Sequence, residues 1–178
     1  MKRYGLIGHP LGHSFSRRYF TEKFEREQLD CRYDNFDLET IGEIRRLVKD
    51  NPDIKGFNVT IPYKEAILPY LDELDEVARE IRAVNTVLVM ADGKLKGFNT
   101  DVVGIEASIL PWHKSALILG TGGASKAVQY VLKKNGIHFH LASRFPEKAD
   151  FTYEKLTREI IQSHLLIINA TPVGMAPS

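Results

Sequence analysis

Leu117-Ile118-Leu119-Gly120-Thr121-Gly122-Gly123-Ala124-Ser125-Lys126-Ala127-Val128 runs from an apolar stretch through a glycine-rich turn into a helix-forming segment. The apolar part reads as a buried strand, Ser115 to Leu119. The last part opens a helix from Ala124 to Lys134, which Gly136 breaks. Strand, glycine turn and helix together suit a dinucleotide pyrophosphate, which needs a tight turn, close backbone approach and the N–H groups of a helix N-terminus. On this reading Gly120 makes the turn, Gly122 the approach, and Gly123 with Ala124 the opening of the helix. The spacing is G-x-G-G-A-S, with Ser125 where a full G-x-G-x-x-G has its third glycine. A turn that merely tolerates glycines is the plainer alternative. The flanking strand and helix favour the pyrophosphate.

Toward the C-terminus, Ile137 to Ala142 reads as the next strand, Tyr153 to Gln162 as a helix, and Leu165 to Asn169 as a strand apolar on both faces. The end of the second of these strands bears on the cofactor. NAD enzymes commonly place a carboxylate there for the ribose hydroxyls. Here the segment reads HFHLASRFPEK (138–148), with Ser143 and Arg144 at the strand end. A guanidinium pairs with a 2′-phosphate, and Lys148 adds a second charge. Either cation alone is more often a solvated surface residue. At this separation from a glycine-rich turn, Arg144 favours NADP over NAD.

Toward the N-terminus, Tyr4–Gly8, Cys31–Phe36 and residues 56–60 read as strands, and Ser16–Gln28, Thr40–Lys49, Lys64–Leu68 and Asp75–Ile81 as helical pieces. Thr86–Met90 and Lys94–Phe98 flank Asp92-Gly93 as a hairpin, for which a type I′ turn is expected. Strand–helix alternation on both sides of residues 101–114 gives two α/β units, each with a mostly parallel sheet. We assign 1–100 to the first, 101–114 to a connecting helix and 115–178 to the second.

The 178 residues carry a formal charge of +1 with 26% charged residues, so no basic face for nucleic acid or anionic lipid is expected. A single cysteine, Cys31, cannot close an internal disulfide and fits a reduced compartment. The start, MKRYGLIGHP, lacks the apolar core of a signal peptide, and no apolar run is long enough to span a bilayer. A cytoplasmic protein without nucleic-acid or membrane partners is expected.

Polar residues gather at the strand ends of the first unit. Ser14 and Ser16 precede a helix. Ser16 reads as its N-cap, or the pair as hydroxyl donors to a small carboxylate. Asn58 and Thr60 share one side of an extended strand. Lys64 follows the turn at Pro62 and reads either as a surface lysine or as a firmly held acid/base. Asn85 lies in Ala83-Val84-Asn85-Thr86, and Asp101 stands in the first turn of a helix, where a dipole role is equally available.

The ordered set GHPLGHSFS (8–16), NVTIPYK (58–64), AVNT (83–86), GFNTD (97–101), ILGTGGAS (118–125) and NATPVGM (169–175) resembles the shikimate dehydrogenase family from Gly5 to Met175. The resemblance implies an N-terminal α/β substrate domain with a Rossmann-type nucleotide-binding domain. It implies NADPH-dependent, reversible reduction of 3-dehydroshikimate to shikimate on the route to chorismate and the aromatic amino acids, by a monomer or homodimer that needs no metal. Lys64 and Asp101 are then the catalytic pair. Ser14 and Ser16 meet the substrate carboxylate, and Thr60, Asn85 and Asp101 meet the ring hydroxyls, with Asn58 nearby. Gly120, Gly122, Gly123 and Ala124 carry the pyrophosphate, and Ser143, Arg144 and Lys148 the 2′-phosphate corner. Asn169, Thr171, Val173 and Met175 lie near the nicotinamide. Arg17 and Phe20 stand where the family usually has Pro and Asn, and Ser143-Arg144-Phe145 where it usually has Asn-Arg-Thr. The family continues past NATPVGM, so the nucleotide domain is expected to be truncated here and a chain ending at Ser178 poorly active. An NAD-dependent quinate/shikimate dehydrogenase and a non-catalytic binding fragment are the alternatives.

Overall fold

The computed structural model describes residues 1–12 and 14–174. The chain divides into two compact units, Met1–Asn99 and Thr100–Pro177. The helix that the sequence sets aside as a connection belongs to the second.

The first unit is built on a six-stranded sheet. Its strands are β1 (Lys2–Gly8), β2 (Cys31–Asp37), β3 (Ile54–Val59), β4 (Glu73–Leu74), β5 (Thr86–Val89) and β6 (Leu95–Phe98), in the order β2-β1-β3-β5-β6-β4. β1 pairs in parallel with β2 and β3, and β4 with β6. Only β5 runs against its neighbours. The helices are α1 (Phe15–Arg26), α2 (Ile44–Asp50), α3 (Tyr63–Ala66) and α4 (Glu76–Ile81).

Strand alternation divides the sheet into two faces. One carries Ile7, Phe36 and Val59 into a core closed by Ile41, Ile44, Tyr63, Ile67 and Ala78 from α2, α3, α4 and their flanks. The other carries Tyr4, Tyr33 and Asn58, and α1 covers it through aromatic contacts. Phe24 lies 6.0 Å from Tyr4, and Phe20 stacks 4.7 Å from Tyr33.

Two local readings need correction. Ser14, rather than Ser16, caps α1, accepting from the Arg17 amide at 3.2 Å. The helix starts one residue before Ser16, which places that serine in its first turn. The hairpin turn is not type I′, because Gly93 has φ +82° while Asp92 is absent from the positive-φ residues. The Gly93 amide donates to Met90 and the Met90 amide to Lys94. That is a three-residue loop, with a left-handed glycine after the turn.

The second unit has the parallel sheet β8-β7-β9, from β7 (Ser115–Leu119), β8 (His138–Ala142) and β9 (Leu166–Asn169). Helices α5 (Asp101–Ser108) and α6 (Gly123–Lys134) pack on one face, where Ala116, Ile118, Val128, Leu132 and Ile137 form a core with Ile105, Ile109, Leu166 and Ile168. The expected helix 153–162 is split. A 3₁₀ turn at Tyr153–Lys155 precedes α7 (Arg158–Gln162), whose N-cap Thr157 accepts from the Ile160 amide. Strand β9 is not buried on both faces either: Leu166 and Ile168 enter the core, while Ile167 is 49% exposed. Among the described residues no helix is long and apolar enough to cross a membrane.

Candidate active site

In the first unit a hydrogen-bonded chain runs across the sheet face under α1. Ser16, in the first turn of α1, lies beside the Tyr33 hydroxyl. Tyr33 Oη donates to Asn58 Oδ1 at 2.7 Å, and Asn58 Nδ2 lies 3.5 Å from Thr86 Oγ1. Thr86 Oγ1 donates in turn to Asn85 Oδ1 at 3.0 Å. The sheet register makes this possible, since Tyr33 and Asn58 flank β1 opposite Tyr4 and Leu6, and Asn58 pairs with Thr86. Burial pushes the Tyr33 phenol well above its ordinary range, and Ser16 beside it opposes that shift.

Thr60 stands one step beyond the end of β3, its amide donating to Ile7 O at 2.9 Å. A Cβ built on Gly8 would lie 2.6 Å from Thr60 Cγ2, so Thr60 fills the space that this glycine leaves. Lys64 is half-buried on α3, and its carbonyl accepts from the Val84 amide at 2.7 Å. That bond fastens Ala83-Val84-Asn85-Thr86 to the lysine's own turn. Asn85 is 9% exposed, and its main chain joins Val59 and Phe98. Ser16, Asn58, Thr60, Lys64 and Asn85 are thus brought to one end of one sheet. Ser14 is turned to capping. Asp101 opens α5 and belongs to the second unit.

The loop before α1 is fixed from β2. Asp37 accepts from His9 Nδ1 at 2.7 Å and from the Leu11 amide at 3.0 Å. Those bonds, the Leu11 amide first, hold the Asp37 carboxyl below the usual carboxylate range.

In the second unit the glycine turn has the form a pyrophosphate needs. Gly120 has φ +102°, and a Cβ there would lie 2.9 Å from Thr171 Cγ2 and 3.1 Å from Ala170 O. Gly122 is the N-cap of α6 and supplies no side chain, so no side-chain oxygen caps this twelve-residue helix and no acid stands in its first turn. A Cβ on Gly122 would meet nothing within 4 Å. An open approach to a helix N-terminus suits an anion. Gly123 and Ala124 begin the helix, as expected.

At the end of β8, Ser143 is 4% exposed. Its Oγ accepts from the Phe145 amide at 3.2 Å and lies 3.5 Å from Thr121 Oγ1 on the glycine turn. Arg144 and Lys148 both reach over the Phe145 ring, at 5.9 and 5.4 Å from its centroid. The corner therefore gathers two cations on one aromatic ring, which fits a phosphomonoester. Beyond β9, Asn169 Oδ1 accepts from the Thr171 hydroxyl at 2.6 Å, and Asn169 Nδ2 donates to Val173 O at 2.8 Å. This closes the turn beside Gly120. Met175 lies outside the described residues.

The shikimate dehydrogenase (NADP(+)) of Methanosphaera stadtmanae is 38% identical to this chain over 196 residues, an alignment spanning 97% of the chain and 69% of that relative. The chain belongs to the shikimate dehydrogenase family. Residues 6–87 match the family model described as the shikimate dehydrogenase substrate binding domain. The Bacillus anthracis shikimate dehydrogenase (NADP(+)) is 39% identical, with 99% of this chain and 72% of that protein covered. Among solved structures, shikimate dehydrogenase 1 of Peptoclostridium difficile superimposes with a TM-score of 0.86 at 37% identity, over 100% of this chain and 69% of that one. The Thermus thermophilus enzyme, solved in complex with NADP(H) and shikimate, gives 0.83 at 34% identity, over 98% and 70%.

Within this member of the shikimate dehydrogenase family, sequence reasoning missed Tyr33, Thr86, Thr121 and Phe145. The sequence reading gives Tyr33 no role within its strand and notes Phe145 only as standing where the family usually has Thr. Only the strand register and the turn after β8 reveal what they touch.

Proposed function

We propose that this protein is an NADP-dependent shikimate dehydrogenase that reversibly reduces 3-dehydroshikimate to shikimate in chorismate and aromatic amino acid biosynthesis. The observation that carries the reading is the presence, in one chain, of the Tyr33–Asn85 polar network with Ser16 and Lys64 beside it, and of an open glycine turn beside the Arg144–Lys148 corner. The network offers hydroxyls and carboxamides to a small polyol acid, and the corner offers cations to a 2′-phosphate.

NADPH, when bound, supplies the hydride. The chain's own residues do the rest. Ser14 and Ser16 donate to the substrate carboxylate. Thr60, Asn85 and Asn58 hold the ring hydroxyls. Lys64, as an ammonium, donates a hydrogen bond and then its proton to the oxygen that becomes the alkoxide at C3, and takes that proton back in the oxidative direction. Asp101 accepts from the substrate hydroxyl. Gly120, Gly122, Gly123 and Ala124 take the pyrophosphate, with Thr171, Val173 and Met175 toward the nicotinamide. Ser143, Arg144 and Lys148 select the phosphorylated ribose. We place the protein in the cytoplasm, as a monomer or homodimer without nucleic-acid or membrane partners.

The test is oxidation of shikimate with NADP by the purified protein, followed through NADPH absorbance, with NAD as comparison. Turnover with a clear preference for NADP is expected. No turnover while NADP binding is intact would overturn the reading.

A further inference from the structure

Tyr33 heads a chain of side-chain hydrogen bonds that reaches two carboxamides of the proposed substrate site, Asn58 and Asn85. It is 4% exposed on β2, and its ring lies nearly parallel to that of Phe20, at 14° and 4.7 Å. The ring therefore has one position, and the hydroxyl one place to be.

We propose that Tyr33 is a positioning residue for substrate recognition, whose hydroxyl sets which end of each asparagine carboxamide faces the substrate. The proposal rests on the shikimate dehydrogenase reading. A phenol has one proton to give, and Tyr33 gives it to Asn58 Oδ1 at 2.7 Å. Burial keeps that phenol protonated at any ordinary pH, so it stays a donor. With its oxygen held by Tyr33, the Asn58 carboxamide turns its Nδ2 toward Thr86 Oγ1 at 3.5 Å. The Thr86 proton then goes to Asn85 Oδ1 at 3.0 Å, which orients the second carboxamide. A carboxamide that flips exchanges a donor for an acceptor, so a fixed orientation decides which substrate hydroxyl geometry is accepted.

Tyr33→Phe keeps the ring and its stacking and removes only the head of the chain. Losing the bond that fixes the Asn58 carboxamide, and through it that of Asn85, should raise the Kd and KM for shikimate about tenfold, with a much smaller change in kcat and none in the KM for NADP. Calorimetric titration with shikimate and with NADP, beside steady-state kinetics, reads each quantity. In an Asn58→Ala background the same substitution should cost much less, because the two act as one unit. In the unaltered protein, the Asn58 side-chain amide signals should shift on titration with shikimate and stay still with NADP, a readout that needs no variant to fold. Unchanged shikimate affinity in Tyr33→Phe, equal losses for shikimate and NADP, or Asn58 signals indifferent to shikimate would each overturn the inference and leave the function standing. Failure of the unaltered protein to bind shikimate would overturn both.

Discussion

Lys64 is anchored by its main chain rather than by its side chain alone, because its carbonyl accepts from the Val84 amide at 2.7 Å. Lys64→Ala keeps that bond, so its effect should fall on chemistry and not on the fold. We expect kcat to drop by about 10²–10⁴, the usual range for a general acid/base, with a much smaller change in the KM for shikimate. A loss confined to KM would make Lys64 a binding residue. Asp37 carries a pH signature of its own. Its carboxyl is depressed by the Leu11 amide and then by His9. A depressed carboxyl contributes stability that is complete above its unfolded pKa, about 3.9, and is lost as pH falls through the lower folded value. The Leu11 amide resonance should therefore show an acid-side step whose midpoint lies below about 3.9. In Asp37→Asn this movement should vanish. A midpoint above the unfolded value would contradict the assignment. Candidate positions were legible in the sequence where a polar residue was unusual for its place, as at Lys64 between Pro62 and a helical piece. They were illegible where a polar atom sits on an otherwise core-like residue, as at Tyr33.

Elements were legible where the hydrophobic period changes sharply, and β7, the glycine turn and α6 stand as read to within a residue. The two-residue strand β4 left no pattern to detect, since Glu73-Leu74 is too short to show alternation. The hairpin was legible as a place but not as a turn type, because Asp-Gly serves both the two-residue loop and the longer one adopted here. At the end of β8, the departure from Asn-Arg-Thr to Ser143-Arg144-Phe145 has a physical counterpart. The ring that replaces Thr lies under both cations, and Ser143 still bonds back to the chain through the Phe145 amide. Arg144→Ala should remove a charge-assisted hydrogen bond worth about 1.5–3 kcal/mol and so shift the NADP-to-NAD ratio of kcat/KM about ten- to a hundredfold toward NAD. Lys148 should remain over Phe145 in that variant and retain part of the preference. An unchanged ratio would return Arg144 to the solvated surface.

The two units keep separate interiors in their main clusters, one drawn from residues between Ile7 and Leu95, the other from residues between Ile105 and Ala170. The first also has protected sheet edges. On one side β2 carries Arg32 and Asp34, and Arg32 Nε pairs with Asp34 at 3.0 Å; on the other, β4 is only two residues long. Charged and short edges discourage pairing with another chain. A polypeptide of residues 1–99 should therefore fold, melt cooperatively and stay soluble. It should also keep the chain from Tyr33 through Asn58 and Thr86 to Asn85, together with Ser16, Thr60 and Lys64, and so bind shikimate. Its affinity should be lower than that of the whole protein, because Asp101 lies in the other unit. Turnover should be absent, because the glycine turn and Arg144 are there too, and hydride transfer needs ring and nicotinamide held together. A circular-dichroism melt and a shikimate titration followed by NMR separate the two expectations. A non-cooperative melt would mean that the first core depends on the second unit. Affinity equal to the whole protein's would remove Asp101 from substrate binding and leave it the helix-dipole role that its place in the first turn of α5 already supports.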